Sequence, residues 1–234
     1  MISTRMISTV LLSLLMSTAG LSADELTRYR GFDLGSDVFS VSAHAKVLAS
    51  ETKVLHHRPA VIELLEWRPP YIVTGSTVLR DSVRLVAFAF YEHQLSKMVV
   101  DYERERTAGM TAGDMTDALV ATYGPPMKPV AKKRAMGPSR IEEETGEVLA
   151  QWESADSTVV LLRSTDAYGP AARFRLIVTS PRLETLRRTA VAEAIRLDEH
   201  EAPQREIARQ KKEADDSRAS DEKARDTNKP AFRP

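Results

Sequence analysis

Apolar positions change period several times along the chain, and each change predicts an element. Val38, Val41, Ala45 and Leu48 recur at helical spacing, and so do Met115, Ala118, Leu119 and Thr122. Each stripe predicts a short helix, and each is followed by segments with strand character. These are 61–67, 83–90 and 95–102 after the first, and 147–152, 158–163 and 173–179 after the second. Within 95–102, Met98, Val100 and Tyr102 share one face while Lys97 and Asp101 share the other. That alternation predicts an antiparallel sheet with helices on one face and water on the other.

Turn residues punctuate the pattern in a way that reads as one unit used twice. Gly31-Phe32-Asp33-Leu34-Gly35-Ser36 leads into the first helix and Gly109-Met110-Thr111-Ala112-Gly113-Asp114 into the second. Thr111 and Asp114 have the spacing of a capping box, with Asp in place of Glu, and Asp33 and Ser36 hold the equivalent places in the first unit. Gly124-Pro125-Pro126 stops the second helix, glycine supplying a left-handed cap and proline barring continuation. A tryptophan lies near the end of each first strand (Trp67, Trp152), and Asp81-Ser82 or Asp156-Ser157 enters each second. Hairpin turns are predicted at Tyr91-Glu92-His93-Gln94 and at 166–170.

From Ser180-Pro181 the period is helical again, with serine at the cap and proline in the first turn. Leu183, Leu186, Ala190, Ala194 and Leu197 form a narrow stripe that is expected to pack against the sheet or another chain, and Pro203 is expected to end or kink the helix. Residues 205–225 are almost all charged or small and the tail to Pro234 lacks any means of burying surface, so disorder or a frayed single helix is expected there. The fold class expected is α+β, with two helix-plus-antiparallel-sheet units in tandem followed by a charged C-terminal helix and a disordered tail. The divisions are a signal peptide at 1–23, a first α+β unit at 24–107, a second at 108–180, the C-terminal helix at 181–215 and the tail at 216–234.

The N-terminus changes the picture most. Arg5, an apolar run at 7–16 and small residues up to Ala23 follow the order of a secretory signal, and the run is too short and too polar to span a bilayer. Cleavage is expected after Ala23, and a buried N-terminal helix is the alternative. Leu21-Ser22-Ala23 opens like a lipobox, but Asp24 stands where the lipidated cysteine belongs, so no lipid anchor is expected. No later stretch predicts a transmembrane span. The expected destination is the periplasm or the medium.

Composition removes whole classes of function. The chain has no cysteine, which excludes disulfides, thiolate nucleophiles and cysteine-ligated metals. Lysine plus arginine equal aspartate plus glutamate at 33 each, so no global field draws the chain to nucleic acid, and no nucleic-acid partner is expected. Lys128, Lys132, Lys133 and Arg134, met by Glu142-Glu143-Glu144, read as a solvated connector between the units, or as a basic spot for an acidic partner or lipid.

No catalytic, cofactor-binding or metal-ligating residue is assigned, and no cofactor is expected. His56-His57 would point to opposite faces of a strand and cannot share one metal without a turn. The glycines at 109 and 113 bracket a helix start with no Gly-Lys-Ser/Thr after them, which suits a cap better than a phosphate cradle. Glu63 and Glu66 read as the wet side of a strand, and a paired-carboxylate mechanism would also need a cleft. Trp67, Tyr71, Phe88, Phe90, Tyr91 and Tyr102 are expected to be mostly core, with any outward-facing members available to a partner.

A helix opened by Gly-Met-Thr-x-Gly-Asp and closed by Tyr-Gly-Pro-Pro, then antiparallel strands, resembles the small α+β module of BamE-like outer-membrane assembly proteins and of β-lactamase inhibitor proteins. Residues 109–124 carry the likeness most fully, residues 31–48 more loosely, and it spans about 30–180. BamE-like members are typically lipoproteins and the inhibitors typically bear disulfides, and this chain has the residues for neither. The resemblance implies the fold and a role in binding proteins of the cell envelope, and no individual residue's role. The expected function is therefore a non-enzymatic exported protein that binds an unknown envelope protein. The alternatives are a hydrolase with a site between the units and a periplasmic small-ligand-binding module.

Overall fold

The structure, a computed structural model, describes residues 25–70, 72–74, 77–79, 81–127, 146–165, 172–230 and 233. The expected signal segment, most of the connector and the 166–170 turn lie outside these residues. In chain order the elements are β1 (Arg28–Tyr29), β2 (Phe32–Asp33), α1 (Val38–Ala45), β3 (Lys53–His56), β4 (Ile62–Trp67), β5 (Ile72–Thr74), β6 (Thr77–Leu79), β7 (Val83–Tyr91), β8 (Gln94–Tyr102), α2 (Ala112–Tyr123), β9 (Glu147–Glu153), β10 (Thr158–Thr165), β11 (Ala172–Thr179) and α3 (Pro181–Asn228). All six expected strands are present close to their predicted bounds. The fold is α+β, built on one antiparallel sheet of seven strands in the order β3-β4-β7-β8-β11-β10-β9. The pairs β1-β2 and β5-β6 form separate two-stranded sheets.

β7 turns into β8 through Glu92-His93, both at positive φ (47° and 65°), the backbone twist a two-residue hairpin favours. Neither residue is a glycine, so outside contacts hold the turn. Glu92 donates its N–H to the Val61 carbonyl at 2.9 Å, and its carboxylate accepts the Val61 N–H at 2.9 Å.

One face of the sheet carries the large core. Val86, Phe88 and Phe90 of β7 and Met98, Val100 and Tyr102 of β8 meet Val38, Val41 and Ala45 of α1 and Met115 and Tyr123 of α2. The Thr111–Asp114 capping box forms as expected: Thr111 Oγ1 accepts the Asp114 N–H at 3.2 Å, and the Asp114 carboxylate accepts the Thr111 N–H at 2.7 Å. Other local expectations need correction. The cap of α1 is Asp37, which accepts the Phe39 and Ser40 N–H groups, and not Asp33, which lies in β2 and pairs with Arg28. α1 ends at Ala45, so Leu48 falls outside the stripe and is 69% exposed. On α2 the buried positions are Met115 and Tyr123, while Ala118 and Thr122 face solvent. Gly124 does end α2, but at φ 74°, ψ −168°, an extended conformation open only to glycine rather than the left-handed helical one.

The opposite face, expected to be wet, is covered by α3. Lys97 is 0% exposed and Asp101 5%. α3 packs on β8, β7 and β4, where the sheet offers the small residues Ala87 and Ala89 and the helix buries Ala190 and Ala194. The face of α3 that does this carries Leu183, Glu184, Arg187, Ala190 and Ala194, whereas Leu186 of the expected stripe is exposed. Nor does Pro203 end the helix, which continues to Asn228, so residues 216–228 are helical. Proline has no N–H for the carbonyl four residues back. Beside that gap Arg205 donates to both the carbonyl and the carboxylate of Asp198 at 2.9 Å.

Candidate functional site

The residues singled out by chemistry in the sequence do not converge. His56 lies in β3 and His57 follows it on the surface, both lining a small cavity against α3 with no carboxylate cluster. Among the described residues no group of three or more His, Cys, Asp or Glu is arranged to hold a metal. Gly109 and Gly113 flank the start of α2. Glu63 is buried rather than wet and pairs with His93 Nδ1 at 2.8 Å, while Glu66 approaches Arg68 at 3.6 Å. Of the aromatic cluster, Phe88, Phe90 and Tyr102 are core, and Trp67 and Tyr91 are half-buried. Tyr71 lies outside the described residues.

Two constellations that sequence reasoning missed do converge. The first is a cavity of about 480 Å³ between α2, the β1–β2 hairpin and the ends of β7 and β8. Tyr29, Tyr102 and Tyr123 line it with Arg28, Arg30 and Glu25. The Tyr123 hydroxyl donates to the Arg28 carbonyl at 3.1 Å, and Arg30 is held by a two-pronged pair to Asp81 at 2.7 and 2.9 Å. Burial, reinforced by the neighbouring phenols, pushes the Tyr29 hydroxyl far above its usual range. Burial does the same at Tyr123 and, to a lesser degree, at Tyr102. All three phenols therefore stay protonated and offer hydrogen bonds without titrating.

The second is a charged layer between α3 and the sheet. Glu184 of α3 accepts from Arg187 Nε at 2.7 Å and Nη2 at 3.0 Å, accepts from Arg188 Nε at 2.7 Å, and lies 3.7 Å from Lys97 Nζ on β8. Burial alone would raise the Glu184 carboxyl. The Arg187 hydrogen bonds, the Lys97 charge and Arg188 outweigh it and hold the group down at about 2. Along the same strand Asp101 accepts from Arg84 and from Arg175 of β11, both at 2.7 Å. The layer fixes α3 in register over the sheet, because a buried charge is tolerated only against its partner.

General acid–base chemistry needs a group that titrates near the working pH. The phenols are pushed above that range and Glu184 below it, so these sites suit binding and clamping. Only the positions of the charged residues could have given the layer away: Lys97 and Asp101 sit on the sheet's central strand β8, and their partners Glu184 and Arg175 lie far along the chain. Beyond the clamp, α3 leaves the protein body. Every residue from 202 to 228 is exposed, a rod of about 40 Å at helical rise. Pairs Arg209–Glu206, Arg209–Glu213 and Arg218–Asp215 run along it at three- and four-residue spacing. Among the described residues no helix is long and apolar enough to cross a membrane. No protein-family model matches the chain, and no curated protein or solved structure is significantly similar to it.

Proposed function

We propose that this chain is an exported protein of the bacterial cell envelope that works by binding another protein rather than by catalysis, its body built from two α+β units in tandem. The observation that carries the reading is the exposed part of α3. A helix that is polar on all sides gains nothing from the core, yet this one is anchored at its root by a buried charge clamp and continues as a rod with one large aliphatic side chain, Ile207, 67% exposed. Such an arm presents surface to something outside the fold. The tandem reading is supported by strand order: α1 precedes β4, β7 and β8, α2 precedes β9, β10 and β11, and the two third strands β8 and β11 lie side by side. That order agrees with the resemblance to BamE-like and inhibitor modules, and the apolar run at 7–16 supports export.

Chemical crosslinking in intact cells followed by mass spectrometry tests the reading. A reproducible envelope protein attached through arm lysines Lys211, Lys212 or Lys223 is the expected result, and consistent recovery of the chain unattached would contradict it. A second reading, a small-ligand-binding module, is favoured by the tyrosine-lined cavity of about 480 Å³. A ligand there would raise the melting temperature of the wild type but not of Tyr102→Phe, and a broad screen without any such compound removes this reading.

A further inference from the structure

We infer that the exposed arm of α3 pairs in parallel and in register with the arm of a second copy of this chain, along a strip through Ile207, Gln210, Ala214 and Ser217. The inference goes beyond the binding reading above, which leaves pairing between copies unassigned. Steps of three and four residues put these side chains on one face, as the a and d positions of a heptad. All four are exposed, and Ile207 is the largest apolar side chain on the arm. At about 100° per residue the strip lies about half a turn from the face of α3, through Leu183, Ala190 and Ala194, that packs on the sheet. Two copies can therefore meet along the strip with their sheets turned outward.

Charge names the occupant and its direction. Glu206 and Glu213 flank the strip on one side, and Lys211 and Arg218 flank it on the other. Each flank meets opposite charge within its own helix, but not enough to cancel it. Arg209 is one cation shared by both glutamates. Asp215 is one carboxylate paired with Arg218, and Lys211 has no ion pair among the described residues. One side therefore stays acidic and the other basic. A parallel copy sets each acidic flank against a basic one, Glu206 against the partner's Lys211 and Glu213 against the partner's Arg218. Two-fold symmetry makes each contact twice. An antiparallel copy would set acid against acid and base against base, which selects against it. At Asp221 the strip would bring a carboxylate to its own copy, so the pairing ends before that residue. A contact this short buries little surface, so the pair forms and parts readily. Its outer face, with Lys212, stays open to the envelope protein proposed above.

The chain has no cysteine, so a single thiol introduced into the full protein reports one contact. Gln210→Cys and Ser217→Cys should both form disulfide-linked dimers under mild oxidation, about tenfold faster than Lys212→Cys on the outer face. An antiparallel pair could join like positions at one of the two sites but not at both. Adding Glu206→Lys/Glu213→Lys to the Gln210→Cys chain makes both flanks basic and should slow dimer formation about tenfold. Mixing it with a Gln210→Cys chain carrying Lys211→Glu/Arg218→Glu, whose flanks are both acidic, should restore the rate as a mixed dimer, which a misfolded arm could not do. Equal rates at 210 and 212, capture at only one of 210 and 217, or rates indifferent to flank charge would each overturn the inference. Failure here with an envelope protein still crosslinked to the arm removes only the pairing. Dimers captured here with no envelope protein recovered from cells keep the pairing and remove the reading above.

Discussion

Replacing Glu184 with glutamine keeps the side chain's volume and removes the charge that holds α3 on the sheet. In the folded chain the carboxyl is held at about 2 against an ordinary 4.5, which at about 1.4 kcal/mol per unit is worth about 3 kcal/mol at neutral pH. A second route gives a similar figure: breaking a buried ion pair costs about 3–5 kcal/mol because the partner stays buried and uncompensated. Here the buried cations facing Glu184 are Arg187, at 2.7 and 3.0 Å, and Lys97, at 3.7 Å. The folded value lies below the unfolded one, so the stabilisation is complete above the unfolded value and is lost as pH falls toward the folded one. Urea unfolding followed by the fluorescence of Trp67 and Trp152, measured for wild type and Glu184→Gln from neutral pH downward, should show a gap of about 3 kcal/mol that closes below the ordinary carboxyl range. Adding Lys97→Met should restore part of the loss, since it removes one of the two buried cations that Glu184 faces. A gap under about 1 kcal/mol, the size of a surface pair, or a gap unchanged by acid, would refute the clamp.

Gly124→Ala should cost about 1–3 kcal/mol in urea unfolding, because its φ of 74° with ψ −168° is essentially glycine-only; a loss within error would mean α2 ends differently. Pro203→Ala restores a backbone donor inside α3, so amide exchange around residues 199–207 should slow with little change in the global melt, and unchanged exchange would contradict a continuous helix there. Burial raises the hydroxyls of Tyr29, Tyr102 and Tyr123. The unfolded chain therefore loses protons first in alkali, and stability should fall as pH rises past about 10. The fall should be shallower in Tyr29→Phe/Tyr123→Phe, and an unchanged slope would place these phenols in solvent.

The strands were legible in the sequence because their signal is local. Alternation and turn residues near 81–82, 92–93 and 156–157 bound them, and the Thr111–Asp114 box marked the start of α2 without outside help. What failed depended on distant matches. Lys97 and Asp101 look like the wet side of a strand until Glu184 and Arg175, far along the chain, are brought to them. For the same reason the apolar spacing of α3 points through Leu186 and not through Arg187, which is 2% exposed against Glu184. Pro203 reads locally as a breaker, whereas helix on both sides of it and the Arg205–Asp198 bond accompany α3 through that position. The tyrosine cavity joins Tyr29, Tyr102 and Tyr123 from three separate segments, and no spacing rule links them.

The most direct test of the binding account is a photo-crosslinking amino acid placed at Ile207, the exposed aliphatic position on the arm, in the full chain within intact cells. The account predicts one reproducible crosslinked species from Ile207, lost when the arm's charged residues flanking that site are reversed. Only uncrosslinked chain from Ile207, under conditions where the same probe at other positions reacts, would contradict it.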